Sequence, residues 1–262
     1  MNDMLDYSDT SCIVTGGGQG IGRNISLRFA DRGASVHILE IDLEAGEETV
    51  EEIRSDGGDA TLHETDVSDQ DQVYDTFDGI DGSEPSIDVV INNAGISHVG
   101  TIEDTTEEEM DRLYEVNVKG VYNCAKAAVE KMKPQEDGGV ILNLASIASM
   151  VGISDRFPYS MTKGAVLTMT YSIAKDYVDD GIRCNSVAPA RVHTPFVDNF
   201  IAENFPGEEE KKFEELSQTQ PIGRMAEPTE VADLILYLCS EEASFITGQN
   251  YPIDGGFINL NS

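Results

Sequence analysis

The chain of 262 residues has no tryptophan, four cysteines, and only 17 lysines and arginines to set against 49 acidic residues. Each scarcity excludes something. Cys12, Cys124, Cys184 and Cys239 lie far apart and form neither a CxxC pair nor a metal-like spacing. Each sits in an apolar segment, so they read as four reduced, buried thiols of a cytoplasmic protein, with no metal site. No stretch approaches the roughly 20 apolar residues that a membrane span requires. The start of the chain, MNDMLDYSDT, has neither a basic opening nor an apolar run, so no secretory signal is expected. Nucleic acid is excluded as a partner, because phosphate binding needs the Lys and Arg that are missing here. Internal repeats and low-complexity segments are also absent.

What is present in excess is negative charge. The formal net charge is −32, and the acids are spread along segments such as LEAGEETVEEIRSD, EDTTEEEMD and GEEEKKFEEL rather than gathered in one tail. A dispersed acidic surface repels itself at low ionic strength and is relieved when salt screens it. The composition is therefore halophile-like and implies work in a salt-rich cytoplasm. Apolar residues still make up 40% of the chain, enough to build a sizeable interior.

Short apolar runs alternate with helical patterns from end to end. SCIVT, SVHILEID, TLHETDV, IDVVINNAG, GGVILNLAS, IRCNSVAPA and YPIDGGF read as strands, with helices between them. Parallel crossovers place helices over a sheet, so the expectation is α/β: a seven-stranded parallel sheet, doubly wound, with helices on both faces. No linker divides residues 1–262, which read as a single Rossmann-type domain. The polar stretch 195–225, with two short helical patterns after the sixth strand, is expected to form a substrate lid. VADLILYLCS is apolar on too many sides for a surface helix and is expected to meet another element or subunit.

Two motifs carry chemistry. Thr15-Gly16-Gly17-Gly18-Gln19-Gly20-Ile21-Gly22 follows the first strand and opens a helix. In that context, glycines let the backbone approach a pyrophosphate and the helix N-terminus supplies amide donors. Tyr159 and Lys163 lie four apart in FPYSMTKGAVLTMTYSIAKDY and share a helix face. An ammonium beside a phenol favours the phenolate and brings tyrosine toward useful general acid/base behaviour. With a dinucleotide site, that implies hydride transfer. Glu40, about twenty residues beyond the glycines, suits ribose hydroxyls and would repel a 2′-phosphate. No Arg or Lys lies between Arg32 and Arg54, and Gln19 is uncharged, so the cofactor is read as NAD. Asp42 stands close enough to share or take over the role of Glu40.

Asn92-Asn93-Ala94-Gly95 and Asn117 within EVNVKG join these motifs in order, and with them the chain resembles the short-chain dehydrogenase/reductases, specifically the classical branch. The resemblance runs from the first strand to Asp254-Gly255-Gly256. It implies that Tyr159 takes the hydroxyl proton as hydride leaves the carbinol carbon, that Lys163 also bonds the nicotinamide ribose, and that Ser146 holds the substrate oxygen. Asn117 resembles the residue that kinks a helix and holds a water leading to the lysine. Gly16, Gln19, Gly20, Ile21 and Gly22 would hold the pyrophosphate, and Asp66 and Val67 the adenine. Asn93, Ala94 and Gly95 would lie along the cofactor, with Pro189, Val192 and Thr194 at the carboxamide. Ala190 stands where the family usually has glycine.

The segment DRFPYSMTKGAV resembles the family branch acting on hydroxy acids and 2-keto-3-deoxy sugar acids. Arg156, three residues before Tyr159, suits a substrate carboxylate, which its fork can bind bidentately; a surface salt bridge is the plain alternative. Arg191, the Lys211-Lys212 pair, His193 and His98 are weaker candidates. The expectation is NAD-dependent oxidation of a secondary alcohol on a sugar-derived acid. An L-fucose- or L-rhamnose-type aldose 1-dehydrogenase giving a lactone, a 3-oxoacyl-thioester reductase, and a non-catalytic cofactor-binding regulator stay open. The resemblance further implies a homo-oligomer, tetramer or dimer, built through the helices that hold Asn117 and Tyr159.

Overall fold

The computed structural model describes residues 5–260. Seven strands form one parallel sheet in the order β3-β2-β1-β4-β5-β6-β7. β1 (Ser11–Thr15) and β4 (Val89–Asn92) are buried at every position, as expected of strands covered on both faces. β2 (Ser35–Glu40) and β3 (Asp59–Glu64) extend the sheet to one side of β1. β5 (Gly139–Leu144), β6 (Ile182–Pro189) and β7 (Asn250–Ile253) extend it to the other side of β4. Strand order reverses between β1 and β4, and ligands of such sheets bind in the crevice beyond the carboxyl ends at that point.

Apolar side chains divide between the two faces. On one, α1 (Gly20–Asp31) contributes Ile25 and Phe29, α2 (Leu43–Ser55) Val50 and Ile53, and a later helix, Pro228–Cys239, Val231 and Ile235. On the other, α3 (Gln70–Asp81) contributes Val73 and Phe77, α5 (Val121–Met132) Cys124 and Met132, and α6 (Phe157–Asp176) Ala174. Between α3 and α5 runs α4 (Glu107–Tyr114), opened by a reciprocal cap in which Thr106 accepts the Glu109 N–H and Glu109 the Thr106 N–H. The expected doubly wound architecture is the observed one.

α7 (Pro195–Asn204) and α8 (Glu209–Ser217) occupy the stretch after β6 and have a small core of their own, with Ile201, Leu216 and Met225 buried. α9 (Pro228–Cys239) explains the overly apolar VADLILYLCS: Val231, Ala232, Ile235, Leu236, Leu238 and Cys239 are buried, packed against α1 of the same chain. α10 (Phe257–Leu260) closes the chain. All four cysteines are buried and unpaired.

At the sheet's β3 edge lies a polar chain that nothing in the motifs announces. The His37 Nδ1 is 3.0 Å from His63 Nε2, and its Nε2 is 3.1 Å from Glu84 Oε1. Burial lowers the pKa of both rings, that of His63 to about 4, while Glu84 pulls His37 back upward. In the neutral state His63 donates to His37 and His37 to Glu84; a second proton on His37 would set donor against donor. A histidine whose folded pKa is depressed stabilises the fold fully above its unfolded value of about 6.5 and loses that contribution as the pH falls toward 4. Urea midpoints of wild type and His63→Phe should therefore diverge across that window, by roughly 1–2 kcal/mol once the half-open position of the ring is allowed for. Parallel pH curves would mean the pair is not coupled to folding.

Candidate active site

The glycine turn joins β1 to α1 and is fastened to the end of β4. Asn93 Nδ2 donates to the carbonyls of Thr15 and Gly16, both at 3.0 Å, and the Asn93 and Ala94 amides donate to Thr15 Oγ1. Gly16 has a φ of +63°, and a Cβ on Gly22 would lie 2.0 Å from the Gly16 carbonyl oxygen, so neither position admits a side chain. Gln19 precedes α1 without capping it, which leaves the first-turn amides of Gly20, Ile21 and Gly22 without a side-chain acceptor. Thr194, at the start of α7, faces this turn from across the groove, 3.6 Å from where a Gly20 Cβ would stand. That arrangement fits a dinucleotide pyrophosphate.

Glu40 ends β2 and is buried. Its Oε2 accepts the Gly18 N–H at 3.1 Å, while Oε1 accepts the Ile41 and Asp42 amides at 3.0 and 3.3 Å. The carboxylate is thus fixed by the turn it helps to shape. Asp42 caps α2 through the Ala45 amide instead. The exposed Asp66 accepts from Ser68, and Val67 is buried against α5, with its carbonyl bound by Asn123.

The four expected catalytic residues converge. Asn117 lies in a π-helical turn, Glu115–Gly120, set between α4 and α5. Its Oδ1 accepts the Ile96 amide at 2.8 Å, and its Nδ2 donates to the Ile96 carbonyl and to Thr162 Oγ1 of α6. Asn117 thereby ties α6 to the loop after β4. Gly95 fills the corner between them: a Cβ there would lie 3.2 Å from Asn117 Oδ1 and 3.5 Å from Lys163 Nζ. Lys163 is buried and donates to the Leu144 carbonyl at 2.6 Å, with Nζ 5.8 Å from the centre of the Tyr159 ring. Burial lowers its pKa to about 8. The Tyr159 phenol is raised by burial, opposed by a hydrogen bond from Ser146 and by the positive charge of Arg156. Ser146 also accepts the Ala148 amide, which orients its hydroxyl.

The β6 loop completes the groove. Val192 is buried and bridges to Ala226. Ala190 is not among the residues of positive φ, and its amide donates to Ile253, so this loop needs no glycine there.

One guanidinium, that of Arg156, lies near Tyr159 at the start of α6, and a second, that of Arg191, belongs to the β6 loop. Arg156 Nη1 contacts Ser97 Oγ at 3.4 Å and the His98 carbonyl at 3.2 Å. Arg191 Nε donates to Thr219 Oγ1 at 3.1 Å, while its backbone amide is held by Gln220. Burial lowers both, and Arg191 is lowered further by the charge of Arg156, so the two feel each other. Among the described residues, neither forms a salt bridge with a carboxylate. The weaker candidates are otherwise engaged. Lys211 and Lys212 pair with Glu208 and Glu215, His193 with Asp198, and the His98 ring turns toward Glu109 and Gly100. The partners Thr162, Ser97, Thr219 and the Leu144 carbonyl carry no motif signal. They are recognisable only once the elements are in place.

A family model described as enoyl-(acyl carrier protein) reductase matches residues 16–258. An oxidoreductase of Thermotoga maritima is 40% identical over 96% of this chain and 98% of its own. The 2-keto-3-deoxy-L-fuconate dehydrogenase of Xanthomonas campestris is 34% identical, covering 95% of this chain and 80% of its own. Among solved structures, the aldohexose dehydrogenase of Thermoplasma acidophilum superposes with a TM-score of 0.87 at 35% identity, covering 98% of each chain.

Proposed function

This chain belongs to the short-chain dehydrogenase/reductase family, and from that premise we propose that it oxidises a secondary alcohol of a sugar-derived acid with NAD⁺. Membership makes it an oxidoreductase of CH–OH groups that uses a nicotinamide cofactor. The observation that carries the finer reading is half-buried Arg156 near Tyr159, with half-buried Arg191 of the β6 loop close enough to feel its charge. In a chain with 49 acidic residues, two such cations without a carboxylate partner among the described residues favour an anionic substrate. The likeness to a 2-keto-3-deoxy-L-fuconate dehydrogenase supports the same class.

The nicotinamide, when bound, supplies the hydride acceptor. Tyr159 takes the hydroxyl proton, Ser146 holds the reacting oxygen, and Lys163 would bind the ribose, with Asn117 across the Gly95 corner from it. Gly16, Gln19, Gly20, Ile21, Gly22, Asn93, Ala94, Gly95, Pro189, Val192 and Thr194 line the cofactor groove, and α7 and α8 serve as the lid.

The preference for NAD rests on Glu40. Glu40→Gln removes the charge and turns an NH2 toward one of the backbone amides, which weakens the turn for both cofactors, but the NADP⁺/NAD⁺ ratio of kcat/KM should still rise at least about tenfold, the worth of one charge-assisted hydrogen bond. An unchanged ratio would move the discriminator elsewhere, to Asp42 first.

The substrate reading is tested by NAD⁺ reduction in molar KCl against aldoses, aldonic acids and 2-keto-3-deoxy acids. Turnover of free sugars alone would favour a second reading, an aldose 1-dehydrogenase, for which the likeness to an aldohexose dehydrogenase speaks. Salt itself is a further variable. The net charge of −32 implies that activity and thermal midpoint rise together as KCl is added, whereas full activity in dilute buffer would remove the halophile reading.

We place the enzyme in the cytoplasm as a homo-oligomer. Exposed Tyr114, Tyr122 and Tyr171 on the α4–α5 and α6 faces, with open space at Gly164, support association through those helices. No helix among the described residues is long and apolar enough to cross a membrane.

A further inference from the structure

We propose that Thr49 of α2 is a positioning residue for the cofactor: its hydroxyl holds the Gly18 peptide in the orientation that presents amides to a pyrophosphate. The inference rests on the reading of the glycine turn as the pyrophosphate site and adds to it a residue outside every motif. Thr49 lies on the buried stripe of α2, with Gly46, Val50 and Ile53, and is fully buried. Valine has the same shape and would meet the packing there equally well. The hydroxyl is what sets threonine apart. Its Oγ1 lies 3.0 Å from the Gly18 carbonyl, 31 positions away, and 3.1 Å from the Ala45 carbonyl one turn back. A hydroxyl has one proton to give. The Ala45 carbonyl already accepts an amide within α2. Among the described residues, Thr49 is the one donor to the Gly18 carbonyl, so that is where the proton is needed.

The same glycine is gripped from its other side. Glu40, at the end of β2, accepts the Gly18 N–H at 3.1 Å, so buried side chains of two elements hold both polar groups of one residue. The approach is close: a Cβ on Gly18 would stand 2.9 Å from the Gly46 nitrogen. A planar trans peptide points its C=O and its N–H in opposite directions. With the Gly18 carbonyl turned inward to Thr49, the Gln19 N–H points outward, where Gln19 is exposed. Neighbouring carbonyls are likewise turned onto protein donors, that of Gly16 onto Asn93 Nδ2 at 3.0 Å and that of Gly20 onto Asn24 Nδ2 at 2.8 Å. A pyrophosphate laid on the turn therefore meets amides rather than carbonyl oxygens.

Glycine allows the close approach but leaves its peptides free to flip. Once the Thr49 hydroxyl is removed, a flip carries the Gly18 carbonyl out to water and aims it at the phosphates. Cofactor then binds only the unflipped fraction, and its apparent affinity falls by that fraction.

The test is calorimetric titration of wild type, Thr49→Val and Thr49→Ser with ADP-ribose, which carries the pyrophosphate, and with adenosine, which lacks it. Thr49→Val keeps the shape and loses the donor. It should weaken ADP-ribose about tenfold, the scale of one buried carbonyl left without its donor, and adenosine by less than about twofold. Thr49→Ser keeps the donor and loses a methyl group, and should bind ADP-ribose within about threefold of wild type. In steady state, Thr49→Val should raise KM for NAD⁺ by the same factor as it weakens ADP-ribose, with kcat at saturation little changed. Packing alone predicts the reverse order, since only serine opens a gap; serine binding more weakly than valine overturns the proposal. Equal affinity of wild type and Thr49→Val for ADP-ribose, with adenosine much weaker in both, overturns the clamp and spares the turn. ADP-ribose no tighter than adenosine in wild type overturns the pyrophosphate reading of the turn, and the clamp with it.

Discussion

Tyr159→Phe is expected to lower kcat by about 10³-fold, within the range of general acid/base contributions, while leaving NAD⁺ binding nearly intact. The ring stays in place and only the phenolic oxygen is lost, so the change removes the proton acceptor and the bond from Ser146 without opening a cavity. Cofactor affinity depends on the glycine turn, Glu40 and the β6 loop, none of which relies on that oxygen. Stability should fall by about 1 kcal/mol, the net worth of one hydrogen bond. Steady-state rates and a fluorescence titration with the cofactor separate the two effects. Retention of a tenth of the wild-type rate would mean that another group moves the proton. Joint loss of rate and cofactor binding would mean that the tyrosine is structural. Intact binding without turnover also distinguishes an enzyme from a cofactor-binding regulator.

The second large effect concerns Arg156. Arg156→Ala removes one fork of the arginine pair, and KM for acidic substrates should rise about 30–100-fold, equivalent to roughly 2–3 kcal/mol for a charge-assisted contact. KM for neutral aldoses should stay within about threefold, since no charge is lost on that side. The comparison is decisive because Arg156 also braces the loop after β4 through Ser97 and His98. If the bracing were its whole purpose, acids and neutral sugars would suffer alike. An unchanged KM for acids removes the carboxylate clamp and leaves the lactone-forming reading in front.

Much of the fold is legible in the sequence for a definite reason. A parallel sheet covered on both faces demands uninterrupted apolar runs, so SCIVT and IDVVINNAG declare themselves as strands without any alternation to interpret. The site residues are legible where they are side chains at fixed intervals on one helix or turn, such as Tyr159 and Lys163. They become illegible where the partner is backbone or comes from a distant loop. Nothing in the sequence indicates that Lys163 bonds the Leu144 carbonyl, because carbonyls have no letter of their own, or that Arg191 leans on the Thr219 hydroxyl, 28 positions away. The positive φ at Asp155 is equally silent, since aspartate serves many turns. VADLILYLCS is too apolar for an open surface, but its partner α1 lies some two hundred positions away. The His37–His63–Glu84 chain carries no sequence signal, because β2, β3 and the loop after α3 each contribute one member and only the fold brings them together.

The π-turn at Glu115–Gly120 has a bearing on how this protein tolerates insertions and deletions. A π-turn closes its hydrogen bonds over five residues rather than four, so it accommodates one residue beyond what the flanking helices need. Removing any single residue between Glu115 and Gly120 would let α4 and α5 merge into one unbroken helix. Such a helix would be locally sounder, and for that reason mutational repair there is easy. The merger would swing everything N-terminal to the deletion through about 100° relative to α5, so loss of Val118, Lys119 or Gly120 would carry Asn117 away from Ile96 and Thr162. The segment therefore encodes its role in its length as much as in its letters: many substitutions could pass, but a gap of one would yield a better helix and a disconnected site.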